Sequence, residues 1–276
     1  MVNNTDIKSM KLYNHVDRIF NELRELGKTD SEPLLVEELT NFDQLHYYGT
    51  EAVDFSIKEL GINSNMSILE IGSGIGGPAR HIANKTGATV IALELQPDQN
   101  KLASDLTERC GLTNKVIHVC GDFLDQNWHG KKFDAIVSWL TLYHIFEHKI
   151  LLKKCFDILN PGGFFYVEDL ISLRTFTDDE LSELLIEIYG NHFSDYHTYK
   201  SDIEKTGFNL IACHDMSFEW AKFTRNRIES YNKQKGRHLR VHGKDIVNSL
   251  NSFYTFIDRY FSSGKLGGIR IIAQKT

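Results

Sequence analysis

Residues 68–80 read Ile-Leu-Glu-Ile-Gly-Ser-Gly-Ile-Gly-Gly-Pro-Ala-Arg, and this stretch indicates the fold class of the chain. Its first four residues, mostly apolar, are typical of a buried strand. The glycines that follow permit a tight turn and a close approach of the backbone to a ligand. Pro78 suits the first turn of a helix. A strand, a glycine turn and a helix in this order indicate a nucleotide-type site in an α/β protein.

The glycines of this loop fit two binding patterns at once. Gly72, Gly74 and Gly77 satisfy the fingerprint for dinucleotides. With Glu70 added and Gly76 in place of Gly77, the same loop satisfies the acid-x-Gly-x-Gly pattern that binds S-adenosylmethionine. The loop alone therefore leaves both cofactors open.

The remaining chain alternates apolar strands with helical segments, which predicts an α/β fold with a doubly wound, mostly parallel sheet. The segment between the fifth strand and residue 206 interrupts this rhythm and is interpreted as an inserted helical cap. The predicted strands are 68–71, 89–93, 116–120, 135–138, 164–168, 208–213 and 267–273. The predicted helices are 7–27, 50–60, 78–85, 97–110, 149–159, 178–189, 199–206, 219–233 and 244–261. Pro161-Gly162-Gly163 is expected to end the helix before the fifth strand.

Composition narrows the class of protein. A formal net charge of −6 disfavours a nucleic-acid binder, which usually carries a basic field. The longest apolar stretches are too short to span a bilayer, so a cytoplasmic protein with no membrane span is expected. Four cysteines without a Cys-x-x-Cys pair argue against a zinc ribbon, and no third ligand accompanies His144 and His148, so no metal site is expected. The basic run at 233–244 is interpreted as a solvated helix surface, with a substrate-phosphate site as the alternative.

The residues after the third strand, and not the acid that ends the second, distinguish the two cofactors. Glu94 ends the second strand, where a carboxylate can accept hydrogen bonds from ribose hydroxyls in either cofactor. After the third strand, Asp122 can accept from an adenine amino group while Phe123 packs against the ring. Tyr231 and Lys235 have the spacing of short-chain reductases but lie far downstream, so the dehydrogenase pattern is incomplete. S-adenosyl-L-methionine is the predicted cofactor.

The ordered series of these strand-end residues resembles the class I S-adenosylmethionine-dependent methyltransferases over about residues 45–170. The resemblance implies a Rossmann-like, seven-stranded sheet with an antiparallel last strand. It divides the chain into an N-terminal helical lid (1–61) and a methyltransferase domain (62–276), with 170–206 as the inserted cap. Residues 43–52 look like the lead-in of the phosphoethanolamine and sarcosine/dimethylglycine N-methyltransferases. The predicted cofactor-binding residues are Leu45, His46, Glu70, Gly72, Gly74, Gly76, Glu94, Leu95, Gln99, Asp122, Phe123, Ser138 and Trp139.

His144, just after the fourth strand, is the predicted catalytic base. Its position is similar to that of the active-site histidine of the phosphoethanolamine enzymes, and histidine titrates near neutrality. This chain departs from those enzymes in three ways. No tyrosine lies between Tyr13 and Tyr47 to pair with the histidine. Four residues before the histidine, those enzymes have an acid where this chain has Leu140. No arginine lies between Arg174 and Arg225 to bind phosphate. Phosphoethanolamine itself is therefore not the expected acceptor.

The acceptor is expected to meet an aromatic wall from the cap and the fourth-strand loop. Such a wall can hold a methylammonium through cation–π contacts or a flat apolar molecule. The expected reaction is methyl transfer to a small-molecule acceptor, with nitrogen preferred. A C- or O-methyltransferase and an inactive S-adenosylmethionine-binding module remain alternatives. The predicted substrate-binding residues are Tyr48, Tyr143, Tyr189, His192 and Tyr196.

Overall fold

The computed structural model describes residues 13–16 and 18–276, and a seven-stranded sheet forms its centre. The strands lie in the order β3-β2-β1-β4-β5-β7-β6. All neighbouring pairs are parallel except those of β7, which runs antiparallel to β5 and β6. The predicted mostly parallel sheet with an antiparallel last strand is confirmed. The strands are β1 (Ser67–Ile71), β2 (Thr89–Glu94), β3 (Val116–Cys120), β4 (Phe133–Trp139), β5 (Leu159–Ser172), β6 (Phe208–Asp215) and β7 (Leu266–Lys275).

The helices match most of the predicted segments. The predicted helix at 7–27 differs, because residues 13–16 form a turn and the helix begins at Arg18; residues 1–12 lie outside the described part of the chain. The helices are α1 (Arg18–Glu25), α2 (Val36–Leu39), α3 (Thr50–Leu60), α4 (Gly77–Thr86), α5 (Pro97–Arg109), α6 (His148–Ile158), α7 (Asp178–Ile188), α8 (Tyr196–Thr206), α9 (Ser217–Lys233) and α10 (Lys235–Ser262).

Helices cover both faces of the sheet, because the central strands are apolar on both sides. Leu69 and Ile136 belong to one buried cluster, which the helices α6 and α8 complete. Their strand neighbours Ile68 and Val137 belong to the cluster on the opposite face. This burial on both faces fixes the carboxyl ends of β1 and β4. The strand order reverses between these two neighbouring strands.

Residues 161–163, predicted to end a helix, lie within β5. α6 ends at Ile158, and β5 begins at once with Leu159 pairing to Phe133, so residues 160–163 lie inside the strand. The register between β4 and β5 shifts there, and Gly162 has φ 77°. A bulge accommodates Pro161, which has no N–H for a ladder hydrogen bond. The sequence pattern placed the start of β5 too late for this reason.

The helices α9 and α10, between β6 and β7, form a second cover whose place in the fold the sequence did not predict. Trp220 of α9 is fully buried over β7, where a side chain on Gly268 would overlap the indole. α10 contains one kink, at Gly243, which has φ 79°. Buried aromatic residues of α9 and α10 form one cluster with Leu184 and Ile188 of α7 over the carboxyl ends of the strands. No helix in the described ranges has both the length and the apolar character needed to cross a membrane.

The basic run of α10 pairs with acids of α1. Arg237 donates two hydrogen bonds to Glu22, at 2.5 and 3.1 Å, and His242 Nε2 lies 2.8 Å from the same carboxylate. Arg240 makes a bidentate contact with Glu25, at 2.7 and 2.8 Å. Part of the run is therefore an interhelical contact rather than a solvated surface.

Candidate functional site

A cavity lies at the carboxyl ends of β1, β2 and β4, where a ligand is expected in an open α/β sheet. Its walls come from the lead-in at 43–47, the loops after these strands and the helices α9 and α10. Fourteen of the nineteen predicted site residues line it. They are Leu45, His46, Glu70, Gly72, Gly74, Glu94, Leu95, Gln99, Asp122, Phe123, Trp139, Tyr143, His144 and Tyr189.

Glu94 organises the loop after β1. Its buried carboxylate accepts hydrogen bonds from the backbone N–H groups of Gly74 and Gln96, both at 2.8 Å. Burial raises the pKa of Glu94 to about 7, although these hydrogen bonds oppose the rise. Each carboxylate oxygen has a second lone pair available to a ligand. The group therefore fits the vicinal hydroxyls of a ribose.

Glu70 is a second buried carboxylate at the cavity wall. Its Oε2 atom has no hydrogen-bond partner within the described residues, and neither do Ser73 Oγ and Gln99 Oε1 in the same wall. Burial raises the pKa of Glu70 to about 8, with the Arg80 guanidinium opposing the rise. Buried polar atoms without partners are rare in folded proteins, so these atoms fit the polar part of a ligand. An ammonium beside Glu70 would stabilise its ionised form.

Among the other predicted cofactor residues, some line the cavity and two do not. Phe123 is buried in the wall next to Asp122, as an adenine contact requires. Ser138 and Gly76 do not line the cavity. The Ser138 hydroxyl donates to the carbonyl of Ile71 at 2.9 Å and so ties β4 to β1. Gly76 lies against Arg80, where a side chain would not fit.

The lead-in segment brings His46 over the end of β4. Its ring stacks on Trp139 with a centroid distance of 5.6 Å. His46 Nδ1 donates to the carbonyl of Tyr47 at 3.0 Å, and burial lowers the pKa of His46 to about 4. Leu45 contacts the glycine loop, where a side chain on Gly74 would press against its Cδ1. The glycine at 74 is therefore needed for this close approach as well as for φ 54°.

His144 lies in a single 3₁₀ turn, Leu142–His144, that follows β4. Its Nδ1 is 3.0 Å from the carbonyl oxygen of Tyr189. Because a carbonyl only accepts, Nδ1 carries the hydrogen and Nε2 carries the lone pair. Nε2 is buried without a hydrogen-bond partner in the described residues. Burial lowers the pKa of His144 to about 4, so the ring is neutral at physiological pH.

Tyr13 is a cavity residue that sequence reasoning missed. Its ring centroid lies 6.4 Å from that of His144, and the Tyr143 ring, tilted by 37° to the histidine, lies 4.0 Å away. Burial raises the pKa of Tyr13 above its usual value, and the phenol stays protonated. Although no tyrosine lies between Tyr13 and Tyr47, Tyr13 itself lines the cavity beside His144. No local pattern marks it, because the contact depends on how the N-terminal segment folds over the cavity.

Two residues at the cavity have backbone angles that non-glycine residues seldom adopt. Leu140 has φ 52° at the end of β4, and Tyr189 has φ 50° at the end of α7. Such conformations persist only where surrounding structure enforces them, and they cluster at functional sites. Tyr189 turns its carbonyl toward His144 in this conformation. Asn191, just beyond it, donates to the carbonyl of His144 at 2.9 Å.

Three of the predicted substrate-binding residues lie away from the cavity. The Tyr48 hydroxyl donates to the carbonyl of Glu219 at 2.9 Å, and that of Tyr196 donates to Cys213 at 3.0 Å. His192 stacks on His148 with a centroid distance of 4.4 Å. α8 crosses the sheet face against α6 and β6, so its aromatic residues face that core. Within the described ranges, no three His, Cys, Asp or Glu side chains form a metal-type group.

Arg227 of α9 and Phe253 and Ile257 of α10 also line the cavity. None of them belongs to a strand-end motif, and all lie more than a hundred positions beyond Asp122. The sequence therefore offered no signal for them. Only the packing of α9 and α10 over the strand ends brings them to the site.

Comparisons with known proteins agree with this geometry. Residues 69–167 match the Methyltransf_11 family, a methyltransferase domain. A sterol 24-C-methyltransferase of Gibberella zeae is 31% identical over 161 residues, which is 58% of this chain and 41% of that protein. The chain thus spans less than half the length of this curated relative.

Two solved structures show the same fold. Phosphoethanolamine N-methyltransferase 2 of Haemonchus contortus, in complex with phosphomonomethylethanolamine and S-adenosylhomocysteine, has a TM-score of 0.78 at 19% identity, covering 92% of this chain and 60% of that one. A Galdieria sulphuraria protein assigned as a sarcosine dimethylglycine methyltransferase has a TM-score of 0.70 at 18% identity, covering 82% of this chain and 84% of that one. At these identities the likeness concerns the fold. Over residues 69–167 the chain matches a methyltransferase domain, and its fold is that of the class I S-adenosylmethionine-dependent methyltransferases.

Proposed function

We propose that this protein transfers a methyl group from S-adenosylmethionine to a small-molecule acceptor, preferentially at nitrogen. The observation that carries the proposal is the Nε2 lone pair of His144, held neutral and without a partner among the described residues, at a cavity that also contains Glu70 and Glu94. A base that can take the proton of an amine and carboxylates that fit the ammonium and ribose of the cofactor together suit methyl transfer to nitrogen.

The residues at the ends of β1, β2 and β3 fit S-adenosylmethionine. Glu70 would face its ammonium, Glu94 its ribose hydroxyls, and Asp122 with Phe123 its adenine. When bound, the cofactor supplies an electrophilic methyl group on a sulfonium. The protein's own contribution begins with enclosing both molecules, since correct placement of two reactants accounts for a large part of a rate enhancement.

His144 would then accept the proton that an amine loses as its nitrogen is methylated. The hydrogen bond to Tyr189 fixes the tautomer and the ring orientation, so Nε2 needs no rearrangement to act. A positioned base of this kind contributes roughly 10²–10⁴-fold to a rate. Tyr13 and Tyr143 lie against the ring and restrict the access of water.

Methylation at carbon is the second candidate. The sequence likeness to the sterol 24-C-methyltransferase of Gibberella zeae favours it. Leu170, Phe253 and Ile257 give the cavity an apolar wall that suits a hydrocarbon acceptor. In that reaction His144 Nε2 would take a proton from carbon after the methyl group has added. An O-methyltransferase and an inactive binding module are further outcomes that the experiment must distinguish.

Calorimetry with S-adenosylmethionine, S-adenosylhomocysteine and NAD tests the cofactor assignment. We expect the first two to bind at micromolar concentration and NAD to bind far more weakly; preferential NAD binding would refute the assignment. Release of S-adenosylhomocysteine over amines, phenols and sterols then identifies the acceptor atom. Release with amines supports the proposal, and release with sterols alone supports the second candidate. Tight cofactor binding with no release from any acceptor class would favour the inactive module.

A further inference from the structure

Arg227 differs from its neighbours in the fold because, among the described residues, its charge lacks an acidic partner. The nearby Arg225 on α9 contacts Asp258 at 3.1 Å, and Arg237 contacts Glu22. Arg227 lines the cavity, yet within residues 13–16 and 18–276 no carboxylate forms an ion pair with it. Burying a cation without a partner is costly, so the position calls for an explanation.

Aromatic rings lie against the guanidinium of Arg227, and one of its edges has no hydrogen-bond partner in the described part of the chain. The guanidinium carbon lies 4.5 Å from the ring centroid of Tyr254, 5.1 Å from that of Tyr47 and 5.5 Å from that of Phe223. Nε and Nη2 are both buried and have no hydrogen-bond partner in the described part of the chain. These two nitrogens form one edge of the guanidinium, and their N–H bonds point in parallel. That edge matches the two oxygens of a carboxylate or a phosphate.

We infer that the Nε and Nη2 edge of Arg227 binds an oxyanion carried by the methyl acceptor. The inference rests on the proposed function and narrows its substrate class to acceptors that have a carboxylate or a phosphate group. The aromatic rings hold the guanidinium flat and preorganised, so little side-chain entropy is lost when the ion pair forms.

The position of Arg227 in the fold favours the acceptor over the cofactor as the source of this oxyanion. α9 packs on β7, whereas the residues that fit the cofactor lie at the ends of β1, β2 and β3 on the other half of the sheet. A cation beside the reacting amine would oppose the positive charge that develops there. The oxyanion therefore belongs to the end of the acceptor remote from the methylated nitrogen, as in an amino acid or an amino phosphonate.

Binding to the protein loaded with S-adenosylhomocysteine tests this site without requiring turnover. The first set of probes is glycine, glycinamide and aminomethylphosphonate. The second set is phenylalanine, its amide and its phosphonate analogue. Saturation-transfer NMR detects their binding. We expect the wild type to bind at least one acid roughly 100-fold more tightly than its amide, because two charge-assisted hydrogen bonds are lost with the amide. The carboxylate and phosphonate arms show which oxyanion fits better. No preference for an acid in either set would overturn the inference.

Variants of Arg227 identify the group responsible. Arg227→Met should abolish the preference for the acid, and Arg227→Lys should keep part of it as a point charge without the paired edge. Arg225→Met on the same helix is the matched control and should leave the preference unchanged. If folded Arg227→Met still prefers the acid to the amide as the wild type does, Arg227 does not bind the oxyanion. If that variant does not fold, the comparison of acid with amide in the wild type still tests the inference.

The affinity for S-adenosylhomocysteine separates failure of this inference from failure of the proposed function. If Arg227→Met weakens that affinity tenfold or more, the oxyanion is the carboxylate of the cofactor and the inference is wrong. If wild-type protein does not bind S-adenosylhomocysteine at all, the proposed function itself fails. Normal cofactor binding without selectivity for acids would refute only the oxyanion site.

Discussion

Arg80 Nη2 lies 3.0 Å from Asp43 Oδ2, and both side chains are completely buried. The pair joins the lead-in segment to α4, the helix that follows the glycine loop. Arg80 also donates to the carbonyl of Ala103 and the hydroxyl of Thr107, so it connects α4 with α5. The pair thereby anchors the lead-in segment, which carries the cavity residues Leu45 and His46, to the helix after the glycine loop.

Asp43→Asn should therefore destabilise the protein by about 3–5 kcal/mol, because it leaves a buried guanidinium without its counter-charge. The midpoint of urea-induced unfolding measures the change. Asp157→Asn, which removes an exposed pair with Lys153 on α6, is the control and should leave the midpoint within error. Equal midpoints for the two variants would show that the buried pair does not hold the lead-in.

His144→Asn should lower kcat by roughly 10²–10⁴-fold while S-adenosylhomocysteine binds as in the wild type. The asparagine Nδ2 can still donate to the carbonyl of Tyr189, but the Nε2 lone pair is lost. Steady-state kinetics and calorimetry give the two readouts. His192→Asn, outside the cavity, should leave kcat and KM unchanged. Full turnover by His144→Asn would remove the histidine from the reaction.

The pH dependence of turnover follows from the low pKa of His144. Since burial lowers this pKa to about 4, the neutral base is present throughout the range above pH 5. We expect kcat to stay level as pH falls from 8 to about 5.5 and to decline only as pH approaches 4. A decline centred near pH 6.5 would indicate a histidine with ordinary solvation.

Glu70 should couple cofactor binding to proton release. Its pKa of about 8 keeps it protonated at pH 7 in the free protein, and a ligand ammonium favours the ionised form. Affinity for S-adenosylhomocysteine should thus rise as pH increases from 6 to 8. Calorimetry at pH 7 in buffers of different ionisation enthalpy measures the protons released. Glu70→Gln should reduce this number, leaving the part due to Glu94.

Glu70→Gln should also change how the stability of the free protein depends on pH. The unfolded carboxyl ionises near its ordinary pKa while the folded one stays protonated up to about pH 8, so the wild type loses stability as pH rises between these values. Glu70→Gln should accordingly gain melting temperature relative to the wild type at pH 8 more than at pH 5. The same difference at both pH values would show that Glu70 ionises normally in the folded protein.

Glu94→Gln should weaken binding of S-adenosylhomocysteine by about 10- to 100-fold. An amide can accept at only one end, so either Gly74 or Gln96 would face an N–H group where it now has an acceptor. Calorimetry measures the effect, and Glu108→Gln on the exposed side of α5 serves as the control. Wild-type affinity in Glu94→Gln would place the ribose elsewhere.

Glu22→Gln should speed the release of S-adenosylhomocysteine if residues 1–61 act as a lid. Hydrogen bonds from His242 and Arg237 outweigh the effect of burial and lower the pKa of Glu22 to about 2, so the contact between α1 and α10 persists at neutral pH. Stopped-flow fluorescence should show a two- to tenfold faster release that converges with the wild type at high salt. Arg24→Gln, an exposed change on the same helix, should release the ligand at the wild-type rate.

The sheet and the residues at its strand ends follow from the sequence. Periodicity locates β1 to β4, and parallel strands necessarily bring their carboxyl ends to one edge, so the amino-acid pattern is enough to group Glu70, Glu94 and Asp122. The turn at 161–163 is harder to interpret, because a bulge lets Pro161 lie inside β5. Local pattern does not distinguish a helix end from a bulged strand start.

The acceptor side of the cavity depends on tertiary packing instead. The N-terminal segment brings Tyr13 to the cavity, and the packing of α9 over the strand ends brings Arg227 to it; no local spacing encodes either position. The free lone pair at Nε2 of His144 also depends on a long-range contact, since the carbonyl of Tyr189 fixes the tautomer of the ring. The strand-end residues of the cavity follow strand order and can be derived from sequence, whereas Tyr13, Arg227 and Phe253 reach it through packing between distant segments.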